Sequence, residues 1–209
     1  MRKIQKMCAA LLAGVMTVGT FAPSVFADEA PAELTDEQVI NVRTTAFGNN
    51  YDVQDMGWRW MMAACYEGLY RDVADENGDE FILAGAESVD ISDDGTVYTY
   101  HLREDAKWSD GVPVTAHDYE YGWKRLLNPD YAYDYASFIY NVVGAEEYNS
   151  GEGSADDVMA VAIVDYTFEV TLKVADPTFE SKLVATPLYP SREDLAVAAG
   201  NNWGKVWTL

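Results

Sequence analysis

Two histidines, two cysteines and fourteen tyrosines bound the chemistry open to this 209-residue chain. A catalytic nucleophile needs a base within hydrogen-bond reach, and His101 and His117 are the only imidazoles. His101 falls in a run, Val97 to Leu102, that alternates like a strand, which makes it a structural polar position; His117 falls in the first turn of an expected helix. HExxH, GxSxG, CxxC and Gly-rich phosphate loops are all missing, so zinc, serine-hydrolase and nucleotide chemistry lack their required groups. The adjacent acids Asp93-Asp94 and Asp156-Asp157 stand at turns, where carboxylates cap backbone N–H groups instead of sharing a proton. The chain reads as a non-enzyme without metal or cofactor. What it does hold is an aromatic cluster, Tyr131, Tyr133, Tyr135, Phe138 and Tyr140. Tyrosine gives a binding cleft a rigid contact area and a hydrogen-bonding tip.

The elements that must position this cluster follow from hydrophobic periodicity. Val39 to Thr45 alternates as a short strand, and Trp58 to Leu69 places Met61, Met62, Cys65 and Leu69 at helical spacing. Ser88 to Leu102 reads as a hairpin about Asp93-Asp94-Gly95, where the glycine supplies positive φ. Thr115 with Asp118 predicts a capped helix running to Leu127 and stopping before Pro129, with Tyr119, Trp123, Leu126 and Leu127 on its buried face. A second helix is expected over Ala136 to Tyr148. A second hairpin, Val158 to Ile163 with Thr167 to Val174, follows it. Asp176-Pro177 opens a short helix, and Ser191 with Asp194 opens a last one that Gly200 closes. Hairpins mixed with helices give an α/β, or mixed α+β, fold class.

The amino-terminal residues have the form of an export signal: Arg2, Lys3 and Lys6, an apolar run from Met7 to Phe21, and Val25-Phe26-Ala27 before Asp28. Residues 1–27 are expected to be a signal peptide and 28–38 a mobile acidic leader. Cys8 would leave with the signal, so Cys65 has no partner for an intramolecular disulfide. Thirty-five acidic residues against fourteen basic ones repel phosphates and anionic lipid heads, which excludes nucleic acid as a partner. With 49% hydrophobic residues the composition forms a core and is not that of a disordered acidic tail.

Several spaced motifs together resemble the extracellular solute-binding proteins that feed peptide ABC transporters. They are Tyr66-Glu67-Gly68-Leu69-Tyr70, Asp94-Gly95, His101-Leu102-Arg103, Lys107-Trp108-Ser109-Asp110-Gly111, Pro113, Thr115, Tyr119, Trp123, Tyr135-Ala136-Ser137 and the strand Asp165 to Leu172. The resemblance implies a two-lobed periplasmic-binding-protein-like fold (type II, cluster C), of which this chain would be the N-terminal part. Residues 39–66 would begin lobe I, 67–183 form a smaller inserted domain, and 184–209 re-enter lobe I. It implies delivery of oligopeptides to a membrane permease by a monomeric protein, in the periplasm or on the outer face of the cell membrane. The same scaffold also suits a dipeptide, a nickel chelate or an oligosaccharide, and a secreted protein without a transport role is the rival outside the family. The tyrosine of the Tyr-Ala-Ser segment faces the peptide in this family, and that is Tyr135. A second ligand segment falls at Gln54, Asp55 and Met56. Relatives carry a Glu-Pro…Leu-Asp-Pro run just before it, where this chain reads Gly48 to Val53 and Asp52 corresponds. The W-S-D-G turn, Trp108 and Trp123 are assigned to scaffold.

Export is directly testable. Intact mass of the secreted product should begin at Asp28 with no lipid attached; a product still carrying Met1, or acylated at Cys8, contradicts the reading.

Overall fold

The computed structural model describes residues 50–55, 59–75 and 78–205. The expected strand at Val39 to Thr45 lies outside them, as does Met56. Helix α1, Arg59–Cys65, ends four residues before Leu69, since Gly68-Leu69 turns the chain into a hairpin of β1, Tyr70–Asp75, and β2, Gly78–Leu83. Sequence periodicity had not indicated this hairpin.

The core is a four-stranded antiparallel sheet in the order β3, β4, β6, β5, formed by Ala86–Ile91, Val97–Leu102, Thr167–Thr171 and Ala160–Val164. Alternation sets its faces: Tyr98, Tyr100 and Leu102 of β4 point inward, as do Phe168 and Val170 of β6. Register pairs Tyr100 with Phe168 and Tyr98 with Val170, so the aromatic rings share one buried layer. Between β3 and β4 the turn closes as expected. Gly95 takes φ 70°, and the Asp94 carboxylate accepts the Thr96 N–H at 3.1 Å.

Helix α2, Ala116–Leu127, packs against β5 and β6. Its start is fixed by Asp118, whose carboxylate accepts the Thr115 N–H at 2.8 Å. The residue after it, Asn128, is extended ahead of Pro129, which cannot continue a helix. Trp123 is fully buried, meets Phe168 edge-on at 5.1 Å, and donates its indole N–H to the Leu188 carbonyl at 2.9 Å. Gly122 lets the helix backbone approach the chain at 189–191; a Cβ there would stand 2.9 Å from the Tyr189 carbonyl.

Other expectations are corrected. The helix expected from Ala136 to Tyr148 is instead a 3-10 turn, Ala136–Ile139, followed by α3, Ala145–Asn149. Between them Val142 bridges to Leu172, the Val143 N–H donates to the Thr171 carbonyl at 2.9 Å, and Gly144 takes φ 79°. Pairing with the sheet thus outweighs helix propensity. Helix α4, Phe179–Lys182, starts two residues after Pro177, with Asp176 capping the turn through Thr178. Helix α5, Glu193–Ala199, has Arg192 and not Ser191 at its N-cap, since Ser191 is buried and Arg192 bridges Asp110 and Asp194. That bridge ties the W-S-D-G turn to the carboxy-terminal segment, with the Arg192 guanidinium 6.0 Å from the Trp108 ring.

Trp123→Ala should cost about 3–5 kcal/mol of stability, the range for emptying a large buried aromatic site. Chemical denaturation measures it, and a loss below about 1 kcal/mol would show that the α2–sheet interface is not the core.

Candidate functional site

Arg125 lies on α2 beside the core residues Leu126 and Leu127, and is 7% exposed. A guanidinium cannot shed its charge in a protein, so its burial demands anionic and hydrogen-bonding partners. Asp52 supplies the first, holding Arg125 Nη1 at 2.8 Å with Oδ1 and Nη2 at 2.6 Å with Oδ2. Gln54 supplies the second, its Oε1 accepting from Nη1 at 3.0 Å. Burial pulls the Arg125 pKa down, and the Asp52 hydrogen bonds and charge more than offset this, so the group is held more firmly protonated than usual.

The same carboxylate accepts a third bond, from the Tyr133 hydroxyl at 2.8 Å. The Tyr133 and Tyr131 rings stack at 5.4 Å, and the Arg125 guanidinium sits 5.2 Å and 4.8 Å from their centroids. Burial first, and then the Asp52 charge, push the Tyr133 hydroxyl pKa far up, so it stays a donor. The segment at 50–55 and the segment at 131–135 are thereby fastened together through one buried ion pair.

The expected ligand residues occupy different positions on this frame. Tyr135 caps the 3-10 turn Ala136–Ile139, is half-buried, and packs edge-on against the exposed Phe138 at 5.2 Å. Asp55 is exposed, with a hydrogen bond from the Asn50 amide. Its pKa is raised, first by partial burial and then by the charges of Asp52 and, more weakly, Asp134. Gln54 is fully buried, and its Nε2 donates to the Pro187 and Tyr189 carbonyls at 3.4 Å and 3.2 Å. It faces the interior. Met56 lies outside the described residues.

Tyr135 and Asp55 line neither of two other hollows: a cavity of about 870 Å³ bordered by Tyr66, Glu67, Arg103, Trp108 and Tyr189, and a groove of about 440 Å³ beside α2. Arg125 and Tyr131 line that groove, while Tyr133 and Tyr135 stand half-buried beside it. Among the described residues no group of three or more His, Cys, Asp or Glu side chains could hold a metal ion, and no helix is long and apolar enough to cross a membrane. His101 pairs with Asp90 at 2.9 Å on the half-exposed sheet face, and His117 is largely exposed.

Sequence reasoning placed Tyr133 in the aromatic cluster but not its bond to Asp52, and missed Arg125. The available signal was an arginine next to the apolar stripe of α2, because a charge beside Trp123 and Leu126 needs a partner and Asp52 was the acid already matched to the family pattern.

Removing the Asp55 charge tests its crowding by Asp52 and Asp134. A carboxyl whose folded pKa is raised binds its proton more tightly in the folded chain, so stability falls as pH rises through that range. Asp55→Asn should therefore melt higher than wild type at pH 7, with the advantage gone at pH 3. An equal penalty at both values contradicts it.

Residues 80–207 match the family of bacterial extracellular solute-binding proteins, family 5 (Middle). The chain is 32% identical over 206 residues to the periplasmic oligopeptide-binding protein OppA of Salmonella typhimurium, which covers 95% of this chain and 36% of that protein. It is 38% identical over 162 residues to the dipeptide-binding protein DppE of Bacillus subtilis, covering 76% and 29%. The structure of Listeria monocytogenes OppA bound to peptide superposes with a TM-score of 0.73 at 33% identity, covering 81% of this chain and 34% of that one. The chain thus spans about a third of the length of these relatives, and carries part of their two-lobed α/β fold. It belongs to the family 5 bacterial extracellular solute-binding proteins.

Proposed function

We propose that the chain is part of an exported, monomeric solute-binding protein that delivers oligopeptides to an ABC transporter permease, at the periplasm or outer face of the cell membrane. The observation that carries this is the 32% identity with an oligopeptide-binding protein over 95% of the chain. The partly exposed tyrosine cluster at 131–135 agrees with it. In this reading residues 39–66 and 184–209 belong to one lobe and 67–183 to a smaller inserted domain. Tyr135 and Asp55 face the peptide together with Met56, and Gln54 supports them from beneath. Extended peptides in two-lobed proteins are held through backbone hydrogen bonds between closing walls, which tolerates varied side chains.

A single wall leaves one side of its ligand in water, so affinity is modest. Titration of the isotope-labelled chain with trialanine should shift resonances of residues 52–55 and 131–138, with a Kd weaker than about 0.1 mM. Tyr135→Ala should weaken this by about five- to thirtyfold, equivalent to 1–2 kcal/mol, with little change in Tm. Shifts confined to other surfaces, or Tyr135→Ala destabilising the fold while leaving affinity alone, would overturn the assignment.

A further inference from the structure

Ala132 lies between the two stacked tyrosines and takes φ 50°, the sole described non-glycine residue in the left-handed region. A side chain there crowds its own backbone, and such a conformation persists only where the surroundings over-determine it. The residue itself is exposed, so its own methyl group does not provide that constraint. The flanking rings do. Tyr131 and Tyr133 both lie against the Arg125 guanidinium, and Tyr133 is tied to Asp52, the carboxylate that Arg125 grips with two nitrogens.

We infer that Arg125 is a positioning residue for the ligand wall, holding the 131–135 segment in a strained arrangement that fixes where Tyr135 stands relative to Asp55. The step from Tyr133 to Tyr135 is short and stiff. The Ala136 N–H donates to the Tyr133 backbone carbonyl at 3.3 Å and the Phe138 N–H to the Tyr135 carbonyl at 3.1 Å, so the 3-10 turn bearing Tyr135 starts from the backbone of the residue whose side chain is anchored on Asp52. A lysine could keep the charge but not the planar two-pronged grip or the stacking. Only the significance of the wall for peptide rests on the proposed function; the positioning itself does not.

Hydrogen exchange of the 209-residue chain, read residue by residue, tests the inference. In Arg125→Lys, the Ala136 and Phe138 amides should exchange at least tenfold faster while β4 and β6 amides keep wild-type rates. Should Arg125→Lys fail to fold, Tyr133→Phe, which removes only the hydroxyl on Asp52, should show the same pattern at about threefold. Equal acceleration across β4, β6 and the turn would make Arg125 merely structural, and unchanged Ala136 and Phe138 rates would also overturn the inference. Trialanine shifts at Tyr135 should vanish in the variant that loses this protection. A wild-type chain that shows no trialanine shifts refutes the peptide reading, and the exchange rates still decide the positioning role.

Discussion

A permanent positive charge sits inside this protein, and much of the surrounding structure is arranged around it. Transferring an ion from water to a protein interior costs several kcal/mol after relaxation, and attraction repays that only with good geometry and saturated hydrogen bonding. Arg125 obtains both: two oxygens of Asp52, the amide oxygen of Gln54, and two tyrosine faces. Each partner is then committed elsewhere. Gln54 reaches the carbonyls of Pro187 and Tyr189, so segments near residues 52, 125, 133 and 188 are joined although distant in sequence. The pair is weak evidence for net stability, since well-packed apolar replacements often do as well. It is strong evidence for a specified arrangement.

The sheet and the ion pair divide the labour. Trp123, Phe168, Tyr100 and their neighbours give the burial that holds α2 against β5 and β6. That packing is non-directional and tolerates modest shifts. Two charged hydrogen bonds at 2.6 Å and 2.8 Å do not, so the orientation of the 131–135 segment derives from the polar network and its position from the apolar core. The acidic surface is consistent with this arrangement: with few cations available, both buried arginines are matched to carboxylates, Arg125 to Asp52 and Arg192 to Asp110 and Asp194, and Asp55 and Asp134 remain exposed.

Sequence carried the sheet well because its signals are local. Alternation in Val97–Leu102 and Thr167–Thr171, Asp94-Gly95 at the turn, and Thr115 with Asp118 at the helix start each act within a few residues. It failed where a distant partner decided the outcome. The helix expected over Ala136 to Tyr148 is interrupted because Val142 and Val143 pair with Leu172 and Thr171, and Gly144 turns left-handed to allow it. The motif resemblance named Tyr135 and Gln54 to Met56 as ligand residues, but motif matching does not tell which side chains turn inward. Gln54 was expected at the ligand and is buried because its partners, Arg125 and the chain at 187–189, come from 71 to 135 residues away.

Asp52 and Arg125 act as one unit, which a double-mutant cycle measures. Stabilities of wild type, Asp52→Asn, Arg125→Met and the double variant give the coupling between the two side chains. A coupling of at least about 2 kcal/mol is predicted, with each single change costing about 3–5 kcal/mol because it strands a buried partner. Additive effects, with coupling below about 0.5 kcal/mol, would contradict the account.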